Sequence, residues 1–421
     1  MTLFAVQYLE DSPGLAALAP AEVRARLRAA LDCLPISVII LGWHLPAALS
    51  RACAEEAARV GAQIFRWHPL LTGDASLVPR REWRTVGLTG EPVPGFRGLP
   101  EFTFVCPNRP AAREAALNHL RDAIRHGDYQ GVFLDRIRYP SPTPAPDRWL
   151  ACFCDDCRRA AAAEGLDLEA ARRQIKTLLA TPENAAAFVR ALLDPAAWAP
   201  ANSDLAMLRA FLDFRVRSVG RFVQAAADVV HAENLAVGLD CFSPALTYMV
   251  GQDLGMLAPH CEWIKIMTYG HTLGPAGLPF ELLSLADWLI GQQLASESEA
   301  LEWLSQASHL PLPSRSSALR EEGIAPEGLA AETRRARGAG VSMLLAGIEL
   351  VDIQEAVRLQ PAQITADVGA FRAAGADGLV LAWDLWHIPF ERLELVRTAW
   401  ARPPSDLPER ALPEAPPDFS S

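Results

Sequence analysis

Gly131-Val132-Phe133-Leu134-Asp135-Arg136-Ile137-Arg138-Tyr139-Pro140 is the stretch on which the reading of this chain turns. An unbroken apolar run, Val132 to Leu134, delivers an acid, and two arginines and a tyrosine follow before a proline ends the segment. Apolar residues without alternation mark a strand covered on both faces, as in a parallel sheet wrapped by helices. Asp135 then stands at the carboxyl end of a buried strand, where β/α barrels keep their reactive groups.

Seven other runs share this design: Phe4 to Leu9, Ile36 to His44, Gln63 to His68, Ala236 to Ser243, Trp263 to Tyr269, Ser342 to Glu349 and Gly378 to Trp386. With Gly131 to Tyr139 they make eight, each followed by an Ala- and Arg-rich helical stretch, which is the alternation of βα units. Polar and aromatic residues gather at their carboxyl ends, in WHL, RWHP, LDRIRYP, LDCFSP, KIMTYGH, GIELVD and AWDLWH. The expected fold is α/β, a (β/α)8 TIM barrel over residues 1–400. Long insertions are expected after strand 3, from about Leu70 to Pro100, and after strand 4, a mostly helical piece at about 141–230 that shapes a cleft. Residues 401–421, dense in Pro, acids and Ser, read as a disordered Pro-rich tail. An open doubly wound sheet would want a Gly-rich phosphate turn after its first strand, and YLEDSPG does not supply one.

Composition bounds the function. Of 421 residues, 50% are hydrophobic and 21% charged, enough apolar material for one large core. A net charge of -11 argues against nucleic acid or an anionic membrane as partner. The start MTLFAVQYLEDSPG lacks a basic, apolar leader, and no uncharged apolar run is long enough to cross a bilayer, so the expected location is cytoplasmic. In a reducing compartment the eight cysteines stay thiols, which makes a tight cluster of them a metal site. Cys152-Phe-Cys154-Asp-Asp-Cys157 is such a cluster, and Cys106 in FVCPN, just ahead of strand 4, is the natural fourth ligand of a closed structural zinc. Cys33, Cys53, Cys241 and Cys261 are scattered and read as small buried residues. No organic cofactor is expected.

GVFLDRIRYP resembles the G-[hydrophobic]-x-[hydrophobic]-D-x-x-R-[YF]-P strand of a family of bacterial barrel-type glycoside hydrolases inferred from sequence. FVCPNRP, WIKIMTYGH and LAWDLWHIP resemble the same group. The resemblance implies hydrolysis of a glycosidic bond, with an oligosaccharide or glycoside as partner. KIMTY is similar to the sixth-strand Met-x-Tyr of chitinase-like barrels, but the acid they carry after the fourth-strand aspartate is replaced here by Ile137 or Arg138. LDRIRY resembles the fourth strand of amylase-like barrels, whose aspartate is the nucleophile. The cysteine arrangement resembles the zinc cluster of family-42 β-galactosidases.

Glycoside hydrolysis needs two carboxyl groups, one to donate a proton and one to act as nucleophile or base. Asp135, flanked by Arg136 and Arg138, is expected to stay ionised and serve as nucleophile or transition-state stabiliser. Its partner is sought among Asp240, Glu349 and Asp384, each closing an apolar strand. Pairing of strands 4 and 7 favours Glu349, and the amylase-like pattern favours Asp240. Tyr139, Tyr269, Trp383 and Trp386 are candidates to stack on a sugar face, and Arg138, Lys265 and His271 to bond its hydroxyls. Lys265, mid-strand in an apolar frame, is expected to meet a carboxylate in the barrel mouth. A non-catalytic carbohydrate-binding barrel is the alternative. The sugar, its linkage and the oligomeric state have no signal in the sequence.

Overall fold

The structure, a computed structural model, describes residues 2–10, 14–42, 44–73, 79–125, 127–196 and 205–402. The expected tail falls outside the described residues from 403 onward. Eight strands run in order around a closed barrel: β1 (Leu3–Tyr8), β2 (Ile36–Leu41), β3 (Gln63–Pro69), β4 (Gly131–Asp135), β5 (Ala236–Phe242), β6 (Trp263–Met267), β7 (Leu344–Glu349) and β8 (Gly378–Ala382). Every neighbouring pair is parallel, and β8 closes on β1. The fold is a (β/α)8 TIM barrel.

All eight apolar runs of the sequence contain a strand, but several strands end sooner than the runs. β4 stops at Asp135 and β8 at Ala382. Beyond β4 the chain turns out at Arg136, which holds φ +54. The apolar Ile137 and Tyr139 that prolonged the run pack as buried loop residues instead of pairing.

Side chains alternate along each strand, so every second one enters the lumen. Ala5, Val38, Ile40, Phe65, Trp67, Phe133, Trp263, Leu345 and Val380 form that inner cluster, separate from the larger layer between strands and helices. Four of its members are aromatic. Phe133 and Trp263 stack with centroids 5.2 Å apart, Phe65 tilts against Trp263 at 5.5 Å, and Trp67 against Phe133 at 6.5 Å. Room for these rings comes from a missing side chain on β5, since a Cβ on Gly238 would lie 2.2 Å from the Trp263 ring.

Between β4 and β5 the chain forms the helices Pro146–Trp149, Asp155–Ala163, Leu168–Leu178, Pro182–Leu193 and the 26-residue Ala206–His231. After β3, the described residues before Thr103 carry short 3-10 turns, such as Arg81–Trp83 and Pro100–Phe102, and isolated antiparallel bridges, Val86 to Pro92 among them. Among the described residues no helix is long and apolar enough to cross a membrane.

Gly238→Ala is expected to cost about 1–3 kcal/mol, because the Trp263 ring it meets is held by Phe65 and Phe133 and cannot step aside. Gly291→Ala, where nothing lies within 4 Å, is the control. Paired urea unfolding curves measure the difference, and equal midpoints for the two variants would refute the packing account.

Candidate active site

Continuing the lumen-facing alternation past the aromatic floor leads from Phe133 to Asp135, from Gly238 to Asp240, from Trp263 to Lys265 and from Leu345 through Gly347 to Glu349. The strand pattern therefore delivers three carboxyls and one ammonium to the carboxyl end of the barrel. All four are buried, as is Gln7 on β1, whose amide has no partner among the described residues. Leu134 pairs with Leu239, so Asp135 and Asp240 follow side by side on strands about 4.8 Å apart.

Asp135 is held from below and from behind. The floor residue Trp67 donates its indole N–H to Oδ2 at 3.0 Å, and the backbone N–H of Arg136 turns back onto Oδ1. The Arg136 guanidinium lies 4.0 Å from Oδ2 and stacks 4.8 Å over Phe102. Asp240 forms a fully buried ion pair with Lys265, Nζ to Oδ2 3.0 Å, and its Oδ1 has no partner among the described residues. Burial pushes the Asp240 carboxyl up to about 7, Lys265 opposes the rise, and the Asp135 charge adds to it. The Lys265 ammonium also sits over the Tyr269 ring at 5.1 Å and the Phe133 ring at 5.5 Å.

Glu349 ends β7. Its Oε1 accepts the backbone N–H of His271 at 2.6 Å and the Thr272 hydroxyl at 3.4 Å. Burial pushes its carboxyl up to about 7, with His271 opposing. Asp384 is engaged differently. It accepts the backbone N–H groups of Leu9, Glu10 and Trp386 at 2.9, 3.1 and 2.9 Å, stitching the loop after β1 to the loop after β8. Burial raises its carboxyl as well, and these amides oppose the rise.

The remaining expected residues divide into two groups. Tyr269 and Trp383 meet ring to ring at the mouth, centroids 4.8 Å apart, and Trp386 is half-buried beside Asp384. Arg138 is buried between the rings of Phe242 and Phe104, at 4.3 and 4.6 Å, and donates to the Tyr139 carbonyl. Burial brings its guanidinium down to about 10, with Glu281 and Asp135 opposing. Tyr139 points away from the mouth; its ring lies under the Arg215 guanidinium at 4.8 Å, close to the cysteines. His271 contributes its backbone to Glu349 while its ring turns to Asp367.

Glu10 was absent from the sequence reading. It follows β1, is partly exposed, and shares the electrostatic environment of Arg136, Asp384, Asp135 and Lys265; burial pushes its carboxyl up to about 7. The signal was available, because Glu10 ends the first apolar run as the other acids end theirs. Trp67 was passed over for the opposite reason, since a mid-strand tryptophan looks like filler until its indole N–H meets a carboxylate.

The thiols of Cys106, Cys152, Cys154 and Cys157 converge within 4.8 Å of one another, all buried and none in a disulfide. Cys106 Sγ lies 3.4 Å from Cys157 Sγ and 3.6 Å from Cys154 Sγ. A tetrahedral four-sulfur site with bonds of about 2.3 Å sets its sulfurs about 3.8 Å apart, so the donor set fits a metal ion. N–H groups already point at the sulfurs from Val86, at 3.3 Å to Cys152, and from Asn108, at 3.4 Å to both Cys106 and Cys157.

No family model matches the sequence, and no curated protein matches it. Solved structures share the fold. The PgaB (BpsB) glycoside hydrolase domain from Bordetella bronchiseptica is 12% identical, with TM-score 0.51, over 92% of this chain and 95% of that one. A β-galactosidase from the Antarctic haloarchaeon Halorubrum lacusprofundi is 14% identical, with TM-score 0.57, over 94% of this chain. A third, the β-galactosidase of psychrophilic Marinomonas ef1, is 12% identical with TM-score 0.56. The chain spans 57% and 59% of these two β-galactosidases.

The raised Glu349 carboxyl makes a prediction about stability. An unfolded glutamate ionises near 4.5, whereas folded Glu349 keeps its proton up to about 7. The stability of the neutral carboxyl is therefore complete below pH 4.5 and is lost as pH rises through 7. Glu349→Gln mimics the neutral form at every pH. It is expected to match wild type at pH 4.5 and to exceed it by up to about 3 kcal/mol at pH 8. Unfolding midpoints of the two proteins across that range check it, and a constant difference would sink it.

Proposed function

We propose that this chain is a carbohydrate-active enzyme that hydrolyses a glycosidic bond of an oligosaccharide or glycoside at the carboxyl end of its barrel. The observation that carries the reading is the unequal treatment of carboxyls that end lumen-facing strands: Asp135 is held by donors on both oxygens, while burial pushes Glu349 up to about 7. Glycosidic cleavage requires two carboxyls in different roles, one of them able to donate a proton near neutral pH. Asp135 is the nucleophile or the base for water, and Glu349 the proton donor to the leaving oxygen. The glycoside hydrolase names borne by solved structures of this fold support the substrate class, as does the sequence resemblance to barrel glycoside hydrolases.

Asp240 and Lys265, locked as an ion pair, suit a role in holding hydroxyls and balancing charge. Tyr269 and Trp383 offer the aromatic surface for a pyranose face. Asp384, with three backbone amides on its oxygens, serves the rim more than the reaction. Cys106, Cys152, Cys154 and Cys157 hold a structural zinc in this reading, a closed site that leaves no position for water. Eight free thiols suit a reducing, cytoplasmic setting.

A panel of chromogenic glycosides tests the activity. Wild type is expected to release the aglycone from at least one, with kcat falling as pH rises through about 7 as Glu349 loses its proton. Asp135→Asn is expected to lower kcat by about 10³-fold or more, consistent with loss of a nucleophile or of electrostatic stabilisation. Binding of a sugar without turnover by wild type would favour the non-catalytic carbohydrate-binding barrel.

Elemental analysis of protein purified without added metal is expected to find one zinc per chain. Cys154→Ser should lose most of it, and chelation should lower the unfolding temperature. Metal-free wild type with an unchanged melting temperature would rule out the zinc.

A further inference from the structure

Glu349 depends on a loop for its hydrogen bonds. The residues that follow β6, 268 to 277, belong to no strand or helix, yet the N–H of His271 meets Glu349 Oε1 at 2.6 Å. Main-chain bonds tie both sides of this peptide: Gly270 O accepts from Ile324 N at 2.8 Å, and Leu273 N donates to Ala356 O at 2.7 Å. Between those two points the peptide is fixed by the His271 side chain, which is 6% exposed.

The imidazole is gripped by one helix, Pro361–Ala373. Asp367 and Gln363, four residues apart and so on one helical face, take its two nitrogens. Nε2 lies 2.9 Å from Asp367 Oδ2, and Nδ1 lies 3.3 Å from Gln363 Nε2. Gln363 Oε1 already accepts the Gln360 N–H, so its amide nitrogen faces the ring as a donor. Nε2–H donates to Asp367. A third wall is Gly323, at φ +74, where a Cβ would come within 2.5 Å of Nδ1. Only glycine lets this backbone close on the ring.

Resting on the reading of Glu349 as proton donor, we propose that His271 is a positioning residue: Asp367, Gln363 and Gly323 lock its ring so that its own backbone N–H aims the Glu349 carboxyl into the barrel mouth. The ring makes no contact with substrate in this arrangement. In this reading His271 acts through its main chain rather than as a ligand of the sugar.

The test uses His271→Ala and His271→Gln, the latter keeping an amide that can donate to Asp367. Loosening the peptide weakens a bond that favours the ionised carboxylate, so the proton affinity of Glu349 rises; loss of the imidazole charge acts in the same direction, and His271→Gln, which lacks that charge but keeps the amide, separates the two. In His271→Ala, kcat is expected to fall about 10- to 100-fold with KM within about twofold, and the alkaline limb of the pH–rate profile to move to higher pH. His271→Gln should recover most of both. A second readout needs no activity: the stability that Glu349→Gln gains between pH 5 and pH 8 should grow in the His271→Ala background. Each tenfold rise in the proton affinity of Glu349 adds a further factor of about ten to that gain, read as the ratio of unfolding constants. If that gain is the same in both backgrounds, His271 is merely structural and the proposal is overturned, whether or not a glycoside is cleaved. If no glycoside is cleaved but the gain grows in His271→Ala and not in His271→Gln, the positioning stands and the hydrolase reading falls; growth in both variants reports only the lost charge and overturns the positioning. Should His271→Ala fail to fold, His271→Ser carries the same comparison.

Discussion

The lumen of a closed eight-stranded barrel has to be filled, and the rest of this molecule follows from how it is filled here. Strand alternation sends a fixed set of side chains inward, and Phe65, Trp67, Phe133 and Trp263 occupy most of the lower space. Whatever faces the lumen above these rings is lifted to the mouth but still shielded from bulk water. Asp135, Asp240, Lys265 and Glu349 are those residues, and each is nearly inaccessible. The floor also takes part directly, because the Trp67 indole that packs on Phe133 is the donor that orients Asp135.

Crowding acids into such a place has an electrostatic consequence. Glu10, Asp135, Asp240 and Glu349 share the mouth with Lys265 and Arg136, and burial resists charge on Glu10, Asp240 and Glu349. The structure resolves the conflict by giving donors unequally. Asp135 receives an indole and a backbone N–H, Asp240 receives an ammonium, and Glu349 receives a backbone N–H and a hydroxyl. Neutral carboxyls near pH 7 then follow from position rather than from any unusual residue. The arrangement costs stability where those groups ionise, a common trade at functional sites.

The legible parts of the sequence were the local ones. Eight strands showed as apolar runs, and Asp135, Asp240, Glu349 and Asp384 showed as acids ending them. The C-x-C-x-x-C spacing showed three of four converging thiols without help from the fold. Less visible was what each acid is bonded to, since those partners are distant in sequence: Asp384 is 375 residues from Leu9, and His271 is 96 from Asp367. Glu10 was missed although its position is local, because Leu9 before it holds φ +57 and the chain leaves the strand just there. Trp67 needed the period-two register to be traced strand by strand before its indole could be placed under Asp135.

That same contiguity ties the candidate reaction centre to the cysteine cluster. Four residues of chain lead from Asp135, the end of β4, to Tyr139, and along them Arg138 is clamped between Phe104 and Phe242 while Tyr139 packs under Arg215. Arg215 is fully buried; it donates to the Met249 carbonyl, and its Nε and Nη2 have no partner among the described residues. A guanidinium so placed is costly without a nearby anion. Cys152 and Cys157 are among the groups whose ionisation would favour it, and four thiolates around a divalent ion carry net negative charge. A metal in the proposed site would thus do more than brace a loop, because its thiolates would offset the charge of the buried cation against which Tyr139, and through it the end of β4, is packed.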